Sequence, residues 1–225
     1  MKLVKCGKIV VASLCMMATL AGAAMPALAI SPAGCTSFAQ IEEMNDDEEA
    51  QVQALKAAIA KVNVKYDEVQ RSWEFDSPIY DKAEKNKTCC LSPWIYIFDG
   101  CKDVYFDEDF SYNGSSCIDL NTVYVRAGDN LYAYECDPDY TDYAYDTDKE
   151  VWWALSNFEM EPNEIDWLRE MLSAKTIITR YSGASGAQYD YTWTADDRQA
   201  VTDMVNLYDL LVAASPEVRA RALRG

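Results

Sequence analysis

Acidic side chains are concentrated in the middle of this chain, and this limits how that region can fold. Residues 99–166 contain 18 acidic and 3 basic residues, whereas the whole chain of 225 residues contains 37 and 20. Mutual repulsion on this scale opposes a compact state. The carboxylates must therefore face solvent, or a cation or cationic partner must neutralise them. The formal net charge of −17 also makes nucleic acid an unsuitable partner.

The start of the chain has the composition of a cleavable signal peptide. Three lysines precede an apolar run at residues 9–20, and small residues lead to Ala-Leu-Ala at 27–29. This run is shorter than the roughly 20 residues that a membrane-spanning helix needs. We expect residues 1–29 to be removed on export. Residues 30–225 are then expected to form a single α+β domain, periplasmic or extracellular, with no further membrane insertion.

Six cysteines follow the predicted cleavage site. An even number in an oxidising compartment predicts three disulfides, although spacing alone leaves the pairing open. Cys117 and Cys136 are the best candidates for one pair because they flank a predicted hairpin. A zinc site is the alternative, but the chain lacks the C-x-x-C spacing that favours it. The predicted disulfide cysteines are Cys35, Cys89, Cys90, Cys101, Cys117 and Cys136.

Histidine is absent from the sequence. Its absence excludes Ser-His-Asp and Cys-His catalysis, and also histidine-ligated zinc and two-histidine iron sites. No serine has a lysine three residues later, so hydrolases of the S-x-x-K type are excluded as well. We therefore expect a binding protein rather than an enzyme.

A helical pattern of apolar residues follows the signal segment, from about residue 45 to residue 75. Its members recur at spacings of three and four residues, and they are Val52, Leu55, Ile59, Val62, Tyr66, Val69 and Trp73. Acidic residues at 46–49 lie where the positive end of a helix dipole favours them, and Pro78 ends the pattern. One long amphipathic helix packing on its own domain is predicted, with a coiled-coil seam as the alternative.

Two β-hairpins are predicted between residues 94 and 136. The segment W-I-Y-I-F-D-G-C-K-D-V-Y-F has two β-rich runs around an Asp-Gly turn. The segment N-T-V-Y-V-R-A-G-D-N-L-Y-A-Y-E-C repeats this arrangement around Gly128 and Asp129. A turn at those two residues would place four side chains on one inward face: Val123, Val125, Tyr132 and Tyr134. We expect a small antiparallel sheet of about four strands.

Helical patterns continue after this sheet. Residues 151–158 are predicted to form a short apolar helix. The segment 161–183 is predicted to contain a longer helix, with Pro162 in its first turn and Gly183 just beyond its last residue.

Two further helices are predicted near the C-terminus. Thr194 and Asp197 resemble a capping box, which opens one helix, and Ser215-Pro216-Glu217 opens the last. The predicted fold is therefore α+β: a long N-terminal amphipathic helix, a small sheet in the middle and a helical C-terminal third, stapled by disulfides.

The segment Y-E-C-D-P-D-Y-T-D-Y-A-Y-D-T-D-K-E, at residues 134–150, combines five Asp and two Glu with four Tyr. Tyrosine provides contact area at low entropic cost, and carboxylates attract cations. We predict that it binds a cationic protein or peptide, as in an exported inhibitor or adaptor. The predicted surface consists of Asp137, Asp139, Tyr140, Asp142, Tyr143, Tyr145, Asp146 and Asp148. A purely structural role is the alternative, in which acidic residues keep a sheet edge from pairing with another molecule.

Calcium binding is a second interpretation, because this ion prefers carboxylate and carbonyl oxygens. A loop beginning at Asp109 has Leu120 at the twelfth position, where an EF-hand requires Glu. A loop beginning at Asp139 ends correctly on Glu150 but departs from the motif in the middle. An irregular calcium site would use Asp107, Asp109, Asp139 and Glu150, and no other cofactor is predicted.

A carboxylate-dependent glycoside hydrolase is the third interpretation. Asp166 and Glu170 are one helical turn apart on a predicted helix and would face the same way. Trp152, Trp153 or Trp167 would provide a surface on which a sugar ring stacks.

Overall fold

The structure, a computed structural model, describes residues 3–5, 46–99 and 103–224. The helices in this part of the chain are α1 (Asp46–Ile59), α2 (Ile79–Asn86), α3 (Pro162–Ser173), α4 (Ala195–Ala213) and α5 (Pro216–Arg224). The strands are β1 (Leu3–Lys5), β2 (Asn63–Asp67), β3 (Ser72–Asp76), β4 (Cys90–Phe98), β5 (Tyr105–Gly114), β6 (Leu120–Ala127), β7 (Asn130–Glu135), β8 (Thr141–Asp146), β9 (Val151–Glu159), β10 (Ile177–Gly183) and β11 (Gln188–Thr192). A short 3-10 helix, Pro138–Tyr140, precedes β8.

The strands form two sheets. Sheet A has the order β1-β7-β6-β10-β11, and sheet B has the order β2-β3-β4-β5-β9-β8. β1 pairs parallel to β7, and the ten remaining strands pair antiparallel. Most neighbours in sheet B are close in sequence, because hairpins join β2 to β3 and β8 to β9.

Aromatic side chains fill the space between the two sheets. The ring of Phe110 in β5 lies 4.9 Å from that of Tyr134 in β7, and Tyr134 lies 5.4 Å from Phe158 in β9. The hydroxyl of Tyr181 in β10 donates a hydrogen bond of 2.9 Å to the carbonyl of Ser111 in β5. The inner faces of the two sheets therefore share one core, and the opposite face of sheet B is its outer face.

Helices cover parts of both faces of sheet B. On the inner face, the ring of Tyr208 in α4 meets the ring of Phe106 edge-on at 5.5 Å. On the outer face, Ile79 and Ala83 of α2 pack against Cys90 at the start of β4. Helix α2 therefore covers one side of the outer face. Polar and aromatic side chains lie on the rest of that face.

The long helix predicted over residues 45–75 is wrong. α1 ends at Ile59, and the second half of the pattern forms the hairpin β2-β3. Tyr66 and Trp73 were expected on one helical face, but they pair across this hairpin with ring centroids 5.0 Å apart. The segment also alternates apolar and polar residues, and pairing of β3 with β4 buries Phe75 completely. Strand pairing and core burial therefore outweigh the helical spacing.

The helical C-terminal third is also wrong. Residues 151–158 belong to β9, and residues 177–183 form β10 instead of extending α3. An apolar run cannot distinguish a central strand from a buried helix, and β9 lies between β5 and β8. Between α3 and β10, the carbonyl of Lys175 does not continue a helix but accepts a hydrogen bond of 2.9 Å from the guanidinium of Arg198 in α4.

The two last helices begin as predicted. The Thr194 hydroxyl accepts a hydrogen bond from the Asp197 N–H at 3.3 Å, and the Asp197 carboxylate accepts one from the Thr194 N–H at 2.6 Å. This reciprocal pair is the predicted capping box and opens α4. α5 begins at Pro216.

Both predicted hairpins are present, but the predicted four-stranded sheet is wrong. Val123, Val125, Tyr132 and Tyr134 are all buried on one face, and Gly128 occupies the turn with φ +60°. The first hairpin, however, belongs to sheet B and the second to sheet A. Two sheets result because the apolar face of each hairpin is buried against the other.

No disulfide joins the four cysteines that the structure describes, which are Cys89, Cys90, Cys117 and Cys136. Cys89 and Cys90 are buried, while Cys117 is exposed and Cys136 is partly buried. The predicted Cys117–Cys136 pair is therefore wrong, and the described part of the fold is not stapled by disulfides. Packing between the sheets holds these segments instead. Cys35 and Cys101 lie outside the described residues.

The predicted signal peptide lies outside the described residues except for Leu3–Lys5, which form β1. Cleavage, export and a single domain over residues 30–225 remain predictions. No helix in the described part of the chain combines the length and apolar character needed to cross a bilayer.

Candidate functional site

Three carboxyl groups and one indole ring lie side by side across four strands on the outer face of sheet B. Trp94 of β4 has two register partners, Asp76 on β3 and Asp107 on β5. Asp107 is in turn the partner of Glu159 on β9. Neighbouring strands are about 4.8 Å apart, so Asp76 and Asp107 flank Trp94 with their backbones about 10 Å from each other. These four residues are named the carboxyl row.

Alternation along β5 places two acidic residues on this face. Phe106 and Phe110 point into the core, and the intervening Asp107 and Asp109 point to the outer face. Glu108 is on the inner face and is completely buried. Burial raises the pKa of Glu108 well above its ordinary value.

A groove runs along the outer face beside α2. It consists of two adjoining cavities of about 260 Å³ each, which share Tyr80 of α2 and Leu155 of β9. The first cavity is also lined by Asn63, Asp76, Asp81, Ser92, Trp94 and Asp109. The second is also lined by Glu84, Ser111, Asn113, Asp146, Lys149 and Trp153. The two cavities together are named the sheet-B groove, and it combines aromatic rings with carboxylates along its length.

Asp107 has an unusual environment within the carboxyl row. Its side chain is 7% exposed, and its Oδ1 has no hydrogen-bond partner within the described residues. Burial, followed by the negative charges of Glu159 and Asp109, raises the pKa of Asp107 to about 7, although a hydrogen bond from Asn157 opposes this. Nε1 of Trp94 is also buried without a partner in this part of the chain. Asp107 therefore holds a proton up to neutral pH, and a cation bound nearby competes with that proton.

Two neighbouring carboxylates each engage one oxygen within the protein. Oδ1 of Asp109 accepts a hydrogen bond from Nδ2 of Asn157 at 2.9 Å, and Oδ1 of Asp76 accepts one from Nδ2 of Asn63 at 2.7 Å. Burial raises the pKa of Asp109, and the bond from Asn157 lowers it. The second oxygen of each group makes no hydrogen bond with the described residues.

In the part of the chain that the structure describes, no ion pair neutralises the carboxyl groups of the first cavity. Among residues 46–99 and 103–224, no lysine or arginine forms an ion pair with the five carboxyl groups in or beside it, which are Asp76, Asp81, Asp107, Asp109 and Glu159. In the second cavity, Lys149 pairs with Glu84 at 2.5 Å and with Asp146 at 3.6 Å. The negative charge is therefore unpaired mainly at the end of the groove that Asp76, Asp81 and Asp109 line.

The acid- and tyrosine-rich segment forms one edge of sheet B. Tyr140 ends the 3-10 helix, and β8 follows as the last strand of the sheet. Asp142 and Asp146 lie on the outer face, whereas Tyr143 and Tyr145 lie on the opposite face and are 51% and 46% exposed. Successive residues of a strand point in opposite directions. The predicted binding surface is therefore divided between the two faces of the sheet.

Two aspartates of this segment stabilise local turns. Oδ1 of Asp137 accepts a hydrogen bond from the N–H of Asp139 at 2.9 Å. Oδ1 of Asp146 accepts hydrogen bonds from the N–H groups of Lys149 and Asp148, both at 2.9 Å. The bond from Lys149, more than that from Asp148, lowers the pKa of Asp146. Of these residues, Asp146 also lines the sheet-B groove.

The structure does not group the four candidate calcium ligands into one site. Asp107 and Asp109 share the outer face of β5, while Asp139 is in the 3-10 helix and Glu150 is in the turn before β9, with φ +55°. Within the described ranges, no cluster of three or more acidic or cysteine side chains is arranged to hold a metal ion. Calcium binding stays a prediction.

The candidate hydrolase carboxylates on α3 have partners within the protein. Asp166 pairs with the neighbouring Arg169 at 2.5 Å, and Glu170 accepts a hydrogen bond of 2.9 Å from the Tyr132 hydroxyl. Both carboxylates are therefore already engaged by other groups of the protein. Trp153, one of the predicted stacking residues, lines the sheet-B groove instead.

Three members of the carboxyl row were missed in the sequence: Asp76, Trp94 and Glu159. Strand alternation in F-D-E-D-F was enough to show that Asp107 and Asp109 share a face. The other members come from three further strands, and their alignment depends on strand order and register. No local pattern contains that information.

Comparison with known proteins identifies no relative. No protein-family model matches the chain, and neither a curated protein nor a solved structure matches it. The function is therefore inferred from the chemistry of the groove.

Proposed function

We propose that this is an exported binding protein whose sheet-B groove takes a basic segment of another protein or a peptide. The main support is the first cavity, which is lined by three carboxylates and the Trp94 ring. Within the described residues, no lysine or arginine forms an ion pair with these carboxylates, which are Asp76, Asp81 and Asp109. Carboxylates attract a cationic ligand, and an aromatic ring adds contact area and a cation–π interaction. The net charge of −17 adds long-range attraction.

The proposal keeps the predicted class of partner and changes the position of the surface. Asp142 and Asp146 are on the same face as the groove and extend its negative charge toward the edge of the sheet. Tyr143 and Tyr145 face away, so tyrosines from this segment do not line the groove. Tyr80 and Trp94 provide the aromatic contacts there. An inhibitor or an adaptor would both use a groove of this kind.

Binding of a defined peptide tests the proposal. The probe is a fluorescein-labelled peptide with three lysines and three arginines separated by glycines, and its anisotropy is measured with increasing protein. We expect saturable binding that weakens as salt rises, because added ions screen exposed charges. A peptide with glutamine in place of every basic residue is the control, and equal binding of the two peptides would contradict an electrostatic groove.

Two variants of equal charge separate the groove from the sheet edge. Asp76→Asn with Asp109→Asn removes two carboxylates from the groove, and Asp139→Asn with Asp148→Asn removes two near the edge. The groove variant is expected to weaken binding about tenfold or more, which corresponds to the loss of charged hydrogen bonds. The edge variant should bind nearly as well as the unaltered protein. The reverse order would place the partner on the predicted edge surface and refute the groove.

Glycoside hydrolysis is the second candidate, and the environment of Asp107 favours it. A carboxyl that holds a proton near pH 7 can act as a general acid, and Glu159 supplies a second carboxyl directly opposite it. Trp94 would stack on the sugar. The test is release of nitrophenol from a panel of aryl glycosides between pH 5 and 7. Turnover that disappears in Asp107→Asn would support hydrolysis, and no turnover from the whole panel would count against it.

A further inference from the structure

A separate cavity lies on sheet A, on the face opposite the shared core. Val125 of β6 and Tyr181 of β10 are completely buried on the inner face, so their neighbours along each strand point to the outer face. The cavity there has a volume of about 410 Å³, within the roughly 300–1,000 Å³ of typical small-molecule sites. It is named the sheet-A cavity, and its lining includes Tyr124, Arg126, Leu131, Ile178, Arg180 and Asp190. None of these residues lines the sheet-B groove.

Strand register explains how an arginine comes to lie between two apolar side chains in this cavity. Arg126 of β6 has Leu131 of β7 as its partner on one side and Ile178 of β10 on the other. Both apolar residues are partly buried. Arg180 is two residues beyond Ile178 on the same strand, so it is a diagonal neighbour of Arg126, about 7–8 Å away in the backbone. Two guanidinium groups therefore line one space beside apolar surface.

The two arginines differ in their partners. Nε and Nη2 of Arg180 donate hydrogen bonds to Oδ1 and Oδ2 of Asp190 at 2.6 and 2.7 Å, and this pair orients Arg180 and neutralises Asp190. Arg126 is exposed, and its side chain forms no ion pair or hydrogen bond with the described residues. Two arginines against one aspartate give the lining one net positive charge, whereas the chain as a whole has a net charge of −17.

A carboxylate joined to an apolar body matches the chemistry of this cavity. The planar guanidinium of Arg126 can donate two parallel N–H groups to the two oxygens of one carboxylate. Leu131 and Ile178 flank it with apolar surface, and the ring of Tyr124 adds contact area. The negative charge of the whole chain repels polyanions at long range, so the cavity favours a small ligand with a single negative charge.

We propose that the sheet-A cavity binds a small organic monocarboxylate with an apolar body, and that Arg126 holds the carboxylate. Arg180, fixed by Asp190, supplies further donors at Nη1, which makes no hydrogen bond with the described residues. Leu131 and Ile178 contact the apolar body. This site goes beyond the function proposed above, because it is on the other sheet and takes a ligand of the opposite charge.

Calorimetric titration at pH 7 with 3-phenylpropionate tests this proposal. The control is 3-phenylpropanamide, which has nearly the same shape and no charge. We expect saturable one-to-one binding of the acid, about tenfold tighter than that of the amide or better. Acetate has the carboxylate without the ring and should bind about tenfold more weakly than 3-phenylpropionate, because it buries less apolar surface.

Variants of equal charge identify the residue responsible. Arg126→Gln should weaken binding of 3-phenylpropionate about tenfold or more and leave binding of the amide unchanged. Lys85→Gln removes the same charge from α2, beside sheet B, and should bind the acid as the unaltered protein does. Arg126→Lys keeps the charge but loses the planar pair of donors, so its affinity should be intermediate. Because the Arg126 side chain makes no bond to the described residues, both substitutions there should leave the thermal unfolding midpoint nearly unchanged.

Four outcomes would overturn the carboxylate site. They are equal affinity for acid and amide, acetate binding as tight as that of 3-phenylpropionate, an Arg126→Gln variant that binds the acid as well as Lys85→Gln does, and no saturation with the acid at about 10 mM. The basic peptide proposed for the sheet-B groove is not used in this experiment, so failure here leaves that proposal intact.

Discussion

Replacement of Asp107 by Asn is expected to stabilise the protein at neutral and alkaline pH and to change its stability little near pH 4. The pKa of this carboxyl is about 7 in the folded protein and 3.8 in its ordinary environment. A difference of roughly three units, at about 1.4 kcal/mol each, corresponds to about 4 kcal/mol at most. Because the side chain is 7% exposed, solvent screening reduces this value little.

The direction of this change in stability follows from the number of protons that the folded and the unfolded protein bind. Between pH 4 and 7 the folded protein keeps the proton on Asp107, and the unfolded chain has lost it. The folded state binds more protons in this window, so the contribution of Asp107 to the free energy of unfolding falls as the pH rises and then stays low above pH 7. Asparagine has nearly the same shape and does not titrate. The variant should therefore not lose this part of its unfolding free energy as the pH rises.

Urea denaturation of both proteins at several pH values between 4 and 8 measures the effect. The quantity of interest is the difference in unfolding free energy between variant and unaltered protein, because other titrating groups such as Glu108 cancel in it. This difference should increase by roughly 2–4 kcal/mol from pH 4 to pH 8. A difference that is constant over this range would show that Asp107 is ionised normally and would refute the description of its environment.

Two further substitutions test the fold. Thr194→Ala removes the N-cap of α4, where the hydroxyl donates a hydrogen bond to Asp197 at 2.7 Å, and should lower the unfolding free energy by about 1 kcal/mol. Thr202→Ala, inside the same helix, is the control and should have little effect. Phe110→Ala removes a completely buried ring between the sheets and should lower the unfolding free energy by about 3–5 kcal/mol in thermal or urea denaturation. Tyr143→Ala, on a half-exposed residue of sheet B, should cost less than about 1 kcal/mol, and equal losses for the two would contradict the shared core.

Local signals in the sequence predicted some elements correctly. The capping box at Thr194 and the turn at Gly128 depend on side chains only a few residues apart, and both are present. The alternation of Val123, Val125, Tyr132 and Tyr134 also correctly predicted a buried face. Residues 60–75, as part of the long helix over 45–75, and residues 151–158 were predicted to be helical because the apolar spacing there is compatible with either structure. Strand pairing with distant segments decided between them.

The candidate site, like the fold, could be predicted from the sequence only in part. By itself, the sequence determined that the chain is strongly acidic, that histidine-dependent chemistry is excluded and that Asp107 and Asp109 lie two residues apart. The tertiary structure alone decided that Asp76, Trp94, Asp107 and Glu159 form one row across four strands, and that Asp107 is buried enough to retain a proton near pH 7. Composition and spacing are properties of the local chain, whereas burial and the field of neighbouring charges arise only when β3, β4, β5 and β9 are brought into register.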